Sequence, residues 1–264
     1  MSLVRQVLFV AWQHPATRSI FPVARLLDRP STLRRWEFAY IEGARDARDR
    51  GFELFHGFGA LDDVTESAEL PPLFTNRLMR KSRSDFVAYM DRLGLDTAEA
   101  ELPVLARSEG LRASDPIELF GLPTVDPVTG SYRFRFFLRG VRHVIEAEAA
   151  IARIATDDLL TLKLDYANKV DRLAICVHEG ALDRRLGWVP ATLVEDVNTL
   201  LKKGSTLTVH VERVNRHPAP VQMRLLCRLD ATPINGFVPF TSKRYQPIPA
   251  RATKIDIVPE ALIG

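Results

Sequence analysis

The sequence predicts an α+β fold in two domains, an N-terminal α+β domain over residues 1–122 and a small β-barrel with one or two helices over residues 132–231. In the later part of the first half, over residues 71–79 and 84–94, apolar residues recur at helical spacing, whereas from Tyr132 onward they recur with the period of two that is typical of strands. A stretch rich in Pro and Gly, between Phe120 and Tyr132, separates the two patterns and is the best candidate for a linker. Many short strands around few helices favour a barrel over a parallel sheet.

In the first half we expect strands before helices. Residues 7–12 are continuously apolar, and residues 35–41 alternate large apolar with polar side chains, so both segments are predicted strands. Apolar residues three and four apart predict helices over residues 71–79 and 84–94. Ser84 is a candidate N-cap for the second of these helices, and Gly94 a candidate stop.

In the second half, residues 132–136 place aromatics on one face of a strand and arginines on the other. Further strands are predicted over residues 159–164, 173–178, 205–214 and 221–229. Helices are predicted over residues 146–155 and over 190–201, which has a proline in its first turn. Five prolines in residues 232–264 predict an extended C-terminal arm that packs on a neighbour or is partly mobile.

The composition is that of an ordinary globular protein. The chain has 264 residues, of which 46% are hydrophobic, with 36 Lys and Arg against 33 Asp and Glu, which excludes a disordered or collagen-like chain. The charge is unevenly distributed, since residues 1–132 carry a net −3 and residues 133–264 a net +6. A basic second half suits an anionic partner such as nucleic acid.

The cysteines and the first residues of the chain indicate the cellular compartment of the protein. Cys176 and Cys227 lie in apolar alternating segments, which indicates buried reduced thiols and hence a reducing cytoplasm. The start of the chain has a short apolar run without a small-residue cleavage site, and no stretch approaches the length that spans a bilayer. We therefore expect a cytoplasmic protein that is neither exported nor inserted into a membrane.

Motifs of catalysis are missing from the sequence. It contains no phosphate-binding loop, dinucleotide-binding glycine motif, H-E-x-x-H, G-x-S-x-G or Cys-x-x-Cys, and its histidines are scattered. The expectation is a protein without catalytic residues, metal or cofactor. One alternative is a metal-dependent nuclease that uses Asp157, Asp158, Asp165 and Asp171, although carboxylates at loop edges are more often solvated or capping groups.

Residues 162–177 and 185–190 resemble a HIRAN domain, a family with a loop of the form N-x-x-D-x-x-A-I-x-V followed by a strand and turn of the form G-[Y/H]-[L/V]-P. The matching residues are Asn168, Asp171, Ala174, Ile175, Val177, Gly187, Val189 and Pro190. Residues 138–143 resemble the opening strand of that family, and the resemblance covers residues 132–231. It implies a modified SH3- or OB-like barrel that binds DNA, in the best-understood relatives a single-stranded 3′ end. Val170 occupies the position before the loop Asp at which relatives have an aromatic residue. Residues 221–229 also have no aromatic where relatives carry one. Both differences weaken the expectation of 3′-end selectivity.

The same residues suit a DNA strand chemically. Arg142 and Arg172 could neutralise phosphates, and Trp188 could stack on a base at about 1–3 kcal/mol. Asp171, in the same loop as Asn168, could accept a hydrogen bond from a terminal hydroxyl, and His143 could stack or donate. In the alternative interpretation Asp171 holds its own turn, Trp188 is a core residue and Arg142 is solvated.

The first half resembles, through residues 36–40, 51–52 and 70–79, the small N-terminal subdomain of HipA-type toxin kinases. That subdomain packs against a kinase core and other subunits and binds no nucleotide, so the resemblance implies an interaction module with a protein partner. The rest of the chain has no room for the kinase core.

Together these observations predict a non-catalytic protein that binds DNA, single-stranded or at strand ends, as a recruiter in DNA repair, restriction or phage defence. The alternative of a different class is a protein-interaction or toxin–antitoxin regulator without DNA binding.

Overall fold

The computed structural model describes residues 6–29, 35–180 and 182–249. Within them the chain is an α+β protein with two antiparallel sheets and few, short helices, as its sequence predicts. No helix in these ranges combines the length and the apolar character that crossing a membrane requires.

The first sheet has five strands and occupies the first half of the chain. They are β1 (Val7–Gln13), β2 (Ile20–Asp28), β3 (Trp36–Tyr40), β4 (Val64–Ser67) and β5 (Ile117–Gly121). Their order in the sheet is β4-β3-β2-β1-β5, with all neighbours antiparallel. Four helices accompany this sheet: α1 (Gly43–Arg48), α2 (Pro72–Thr75), α3 (Phe86–Leu93) and α4 (Glu101–Ser108).

Strand β1 is apolar at successive positions because this strand is covered on both faces of the sheet. Leu8 and Val10 face a core made with the side chains of α2, α4 and the loop around residue 55. Phe9 and Ala11 point the opposite way, into a core that also contains strands of the second half. A strand that is covered on both faces has hydrophobic residues at successive positions in its sequence.

The second sheet has seven strands in the order β10-β9-β8-β11-β12-β7-β6. They are β6 (Thr124–Val125), β7 (Tyr132–Phe137), β8 (Leu159–Leu164), β9 (Ile175–Glu179), β10 (Arg185–Trp188), β11 (Leu207–Val214) and β12 (Leu225–Ala231). The described residues form no closed barrel, because the ladder begins at β10 and ends at β6. An isolated bridge nevertheless joins Arg139, just after β7, to Trp188 at the end of β10.

Two helices belong to this sheet, α5 (Ala147–Ile151) and α6 (Ala191–Lys202), and 3-10 turns lie at Val141–His143 and Val221–Met223. Helix α6 follows Pro190 directly and packs Leu193, Val197 and Leu200 into the core beneath the sheet. It begins within a residue of the prediction, whereas the helix predicted over residues 146–155 is only five residues long.

Several predicted boundaries are wrong. The helix predicted over residues 71–79 is a single turn, and the N-cap of α3 is Asp85, without a side-chain cap, instead of Ser84. Gly94 does end α3, in the left-handed conformation that stops a helix (φ 64°). The strand predicted over residues 221–229 begins only at Leu225, because a 3-10 turn precedes it.

The predicted linker contains a hairpin. Strand β6 pairs with β7 through Thr124 and Val125, and Asp126 accepts the backbone N–H groups of Val128 and Thr129 across the turn that joins them. The division into residues 1–122 and 132–231 stays a prediction, although each half holds one of the two sheets.

The described part of the C-terminal arm, residues 232–249, lies against both halves. Phe240 packs on Phe9 and Phe120 of the first sheet, with ring centroids 5.5 and 5.3 Å apart, and its N–H donates to Asp196 of α6. Pro247 forms a bridge with Ile41. Residues 250–264 of the arm lie outside the described residues.

A buried ion cluster also connects the halves. The Arg139 guanidinium lies 2.8 Å from a carboxylate oxygen of Glu109 and 2.6 Å from one of Glu118. Burial raises the pKa of Glu109, although the charge of Arg139 opposes that rise. Arg139 thus contacts the first half through its side chain and Trp188 through its backbone.

Candidate nucleic-acid interface

Trp188 is the centre of the predicted site and is half-buried. Its backbone exchanges two hydrogen bonds of 2.9 Å with Arg139, which fixes the end of β10 beside the segment that follows β7. Gly140, in that segment, has a φ of 67°, and a Cβ there would lie 2.6 Å from ring carbon Cε3 of Trp188. Only glycine permits this approach, which brings the turn Val141–His143 next to the indole.

Asp165 orients the indole of Trp188 through a hydrogen bond. This buried carboxylate follows β8 directly and accepts the Trp188 Nε1–H at 2.8 Å and an N–H of Asn168 at 3.4 Å through the same oxygen. The hydrogen bond from Trp188 is the main reason that the pKa of Asp165 lies below its ordinary value. Asp165 is therefore an anionic anchor for the ring, a role that sequence reasoning missed because the partner lies two strands away.

Arg185 covers the ring. Its guanidinium carbon lies 5.2 Å from the centroid of Trp188, a cation–π distance, and one of its nitrogens lies 3.8 Å from Asp165. A base that stacks on Trp188 from this side must displace Arg185. Nothing in the spacing of the sequence indicates this contact beyond the presence of an arginine in the same strand.

Arg142 and His143 lie on the turn held by Gly140, and both are exposed. The Arg142 Nε–H donates to Nε2 of His143 at 3.0 Å. The turn therefore presents a cation and an imidazole together beside the Trp188 platform.

Asn168 and Asp171 shape the loop between β8 and β9. The Asn168 side-chain oxygen accepts the N–H groups of Val170 and Asp171, and Asp171 Oδ1 accepts the N–H of Leu173. These are turn-forming bonds of the kind expected if Asp171 holds its own turn. They leave the second carboxylate oxygen of Asp171 as the acceptor that could meet a ligand.

The structure thus brings the six predicted residues to three adjoining segments: the turn with Arg142 and His143, the loop with Asn168, Asp171 and Arg172, and Trp188 on β10. The roles in binding remain predictions. Arg172 is exposed, in the loop between β8 and β9.

Charge differs sharply between this surface and the neighbouring sheet. Arg133 and Arg135 of β7 lie on the face opposite the aromatics, as predicted, but they pair with Asp230 at 2.6 Å and Glu212 at 2.8 Å. In contrast, Arg142, Lys169 and Arg172 form no ion pair with any residue in the described part of the chain. These three cations therefore leave unpaired positive charge in the turn and the loop next to Trp188.

Other reactive groups are sparse. Within residues 6–29, 35–180 and 182–249, no group of three His, Cys, Asp or Glu side chains is placed to hold a metal ion. Cys176 and Cys227 are buried free thiols, as predicted, and burial raises the pKa of Cys176 to about 11.

The fold and the site together define an α+β protein whose second sheet carries an aromatic and cationic surface. Comparison with known proteins adds two solved structures. One is a crystal structure of a Lactobacillus plantarum protein, 19% identical, which matches over 39% of this chain and 97% of its own with a TM-score of 0.33. The other is the HIRAN domain of human HLTF, 15% identical, over 38% of this chain and 73% of its own with a TM-score of 0.28. No family model and no curated protein matches the chain.

Proposed function

We propose that this chain is a non-catalytic nucleic-acid-binding protein that holds DNA, single-stranded or at a strand end, on the surface around Trp188. In this proposal it recruits other proteins in DNA repair, restriction or phage defence. The observation that carries the proposal is the set of cations without acidic partners, Arg142, Lys169 and Arg172, beside a half-buried, hydrogen-bonded Trp188. Unpaired cations attract phosphates, and a fixed aromatic ring offers a face to a base.

We also propose that the second sheet has a HIRAN-like arrangement of strands, although its described residues do not close into a barrel, in keeping with the sequence resemblance. The support is the antiparallel order of its strands together with the Arg139–Trp188 bridge, which draws the segment after β7 to β10. The two hydrogen bonds of that bridge hold the segment that precedes Arg142 and His143 beside β10, which supports a shared surface.

The first half, in the same proposal, grips a protein partner. The support for this is that β4 is an edge strand of the first sheet and exposes Val64. Edge strands can accept a further strand from a partner.

The test is fluorescence anisotropy of the protein with single-stranded, blunt, 3′-tailed and 5′-tailed DNA at several salt concentrations. Binding through several phosphates must weaken steeply as salt rises. Absence of salt-dependent binding to all four forms would contradict the proposal and favour the protein-interaction regulator. Cleavage of labelled DNA with Mg²⁺ or Mn²⁺ that Asp171→Ala abolishes would instead favour the nuclease.

Arg142 allows a sharper test. Arg142→Ala should weaken binding to all DNA sequences alike and make the salt slope shallower by about one unit, because one phosphate contact is lost. Arg133→Ala is the matched control, since Arg133 is already paired with Asp230. Equal effects of the two substitutions would contradict a site centred on Trp188.

A further inference from the structure

Tyr166 is an aromatic side chain of the Trp188 surface that the predicted site does not include. It is 84% exposed and follows the buried Asp165, which is bonded to Trp188 and Asn168. The backbone on either side is fixed as well, because Asp165 N–H donates to Ala174 and Asn168 N–H donates to Asp165. A well-anchored loop therefore displays an aromatic ring to solvent.

The surroundings of Tyr166 are apolar and basic. Leu164 at the end of β8 is 39% exposed, and Val170 and Leu173 of the following loop are 55% and 47% exposed. Lys169 and Arg172 lie in this loop too and are exposed, without an ion pair among the described residues. Exposed apolar side chains grouped in this way mark interaction surfaces, and the flanking cations select an anionic partner.

Tyr166 differs from Trp188 in what already contacts its ring. Trp188 is covered by Arg185, bonded to Asp165 and approached by Gly140. In the described part of the chain Tyr166 makes no aromatic, cation–π or side-chain hydrogen-bond contact. A base can therefore stack on Tyr166 without displacing any protein group.

We propose that Tyr166 is a base-stacking residue that gives this surface its preference for unpaired over paired DNA. The inference rests on the proposed function, since it assigns the residue that reads the strand form. A paired base inside a duplex has both faces covered by its neighbours, whereas an unpaired base can place one face on the ring. Lys169 and Arg172 meet the phosphates on either side of that base.

The experiment measures the affinity of the parent protein, Tyr166→Ala and Tyr166→Phe for a single-stranded oligothymidylate and for a blunt duplex. Tyr166→Ala should weaken binding to the single strand by about 5- to 150-fold and leave binding to the duplex unchanged. Tyr166→Phe should bind as the parent does, because the ring remains. Val128→Ala, at a 90% exposed position of the β6–β7 hairpin, controls for the loss of an exposed apolar side chain.

The outcomes separate the two proposals. If the parent binds the single strand and Tyr166→Ala binds it equally well, the stacking role is wrong and the proposed function stands. A parallel loss for both DNA forms in Tyr166→Ala also contradicts the stacking role. If the parent binds neither DNA, the proposed function itself is wrong. Melting temperatures of the variants should equal that of the parent, since the side chain is exposed.

Discussion

At the scale of single residues, Trp188 and Asp165 determine each other's geometry. The carboxylate is buried and ionised because the indole N–H meets it at 2.8 Å, and the indole is oriented because the carboxylate lies there. Removing one partner leaves the other with an unsatisfied polar group, which costs about 1–3 kcal/mol. Trp188 is therefore half-buried and held in one orientation by this hydrogen bond.

Gly140 permits a test of the approach to that ring. Gly140→Ala should lower the free energy of unfolding by more than Gly204→Ala, because an added Cβ at 140 lies 2.6 Å from the Trp188 ring whereas at 204 it meets nothing within 4 Å. Both glycines have positive φ, so each alanine suffers about 1–2 kcal/mol of backbone strain. The collision should add about 1–3 kcal/mol at position 140.

Urea unfolding of both variants measures this difference, and the fluorescence of Trp188 reports displacement of its ring. Equal stabilities of the two variants would show that Trp188 moves aside freely, so that Gly140 does not fix the turn that carries Arg142 and His143.

The sequence could identify a site residue when its interactions involve residues close in sequence, and could not when they involve distant ones. Asn168 and Asp171 were recognisable from motif spacing, yet the structure uses both for bonds within three residues of themselves. Asp165 was considered only as a cation ligand, since its partner Trp188 is 23 positions away. Tyr166 has no motif, and its importance appears only when its exposure is known.

At the scale of secondary structure, strands with a clear period were predictable. Strand β8 has the predicted bounds, and β7 and β1 differ from the prediction by one residue. Strand β2 was missed, since Pro22 lies inside it; the pairing with β1 shifts register beside this proline, next to Ala11. The hairpin with β6 was interpreted as a linker because Pro, Gly and Asp are typical of both.

Helix α6 and the C-terminal arm should respond to pH through Asp196. Burial raises the pKa of this carboxyl to about 6, so between about pH 4 and 6 the folded chain holds a proton that the unfolded chain has released. The free energy of unfolding should therefore fall as the pH rises through this window, by about 1–3 kcal/mol for this group. In Asp196→Asn, whose amide oxygen can still accept the Phe240 N–H, that part of the decline should vanish.

Denaturant titrations of parent and variant at pH 4, 5, 6 and 7 give the difference directly, because the contributions of other groups cancel. A pH profile of the variant that follows the parent throughout would mean that Asp196 is not the titrating group.

At the scale of the whole molecule, the two halves share one core. Phe9 and Phe120 of the first sheet lie in the same hydrophobic cluster as Phe134 and Leu229 of the second and Phe240 of the arm. The spacing of apolar residues and the net charge both change at the β6–β7 hairpin, which suggests two domains. Neither property shows which distant segments contact each other. For this reason we expect the predicted domains to unfold together.

Phe240→Ala tests this expectation. Truncating a 5% exposed ring that packs on Phe9, Phe120 and Tyr245 should cost about 3–5 kcal/mol and still give one transition. Circular dichroism and tryptophan fluorescence should give coincident curves, since Trp12 and Trp36 report the first sheet and Trp188 the second. Two separate transitions in the parent would show that the halves are independent.

The burial of both cysteines has a practical consequence for site-specific chemistry. The thiolate is the reactive form of cysteine, and burial raises the pKa of both Cys176 and Cys227, so alkylating dyes should leave the folded parent unmodified at neutral pH. Val128→Cys would then place the sole reactive thiol of the chain on the β6–β7 hairpin, at a position that is 90% exposed and far in sequence from Trp188. A fluorophore attached there can follow this protein on DNA without altering the surface under study.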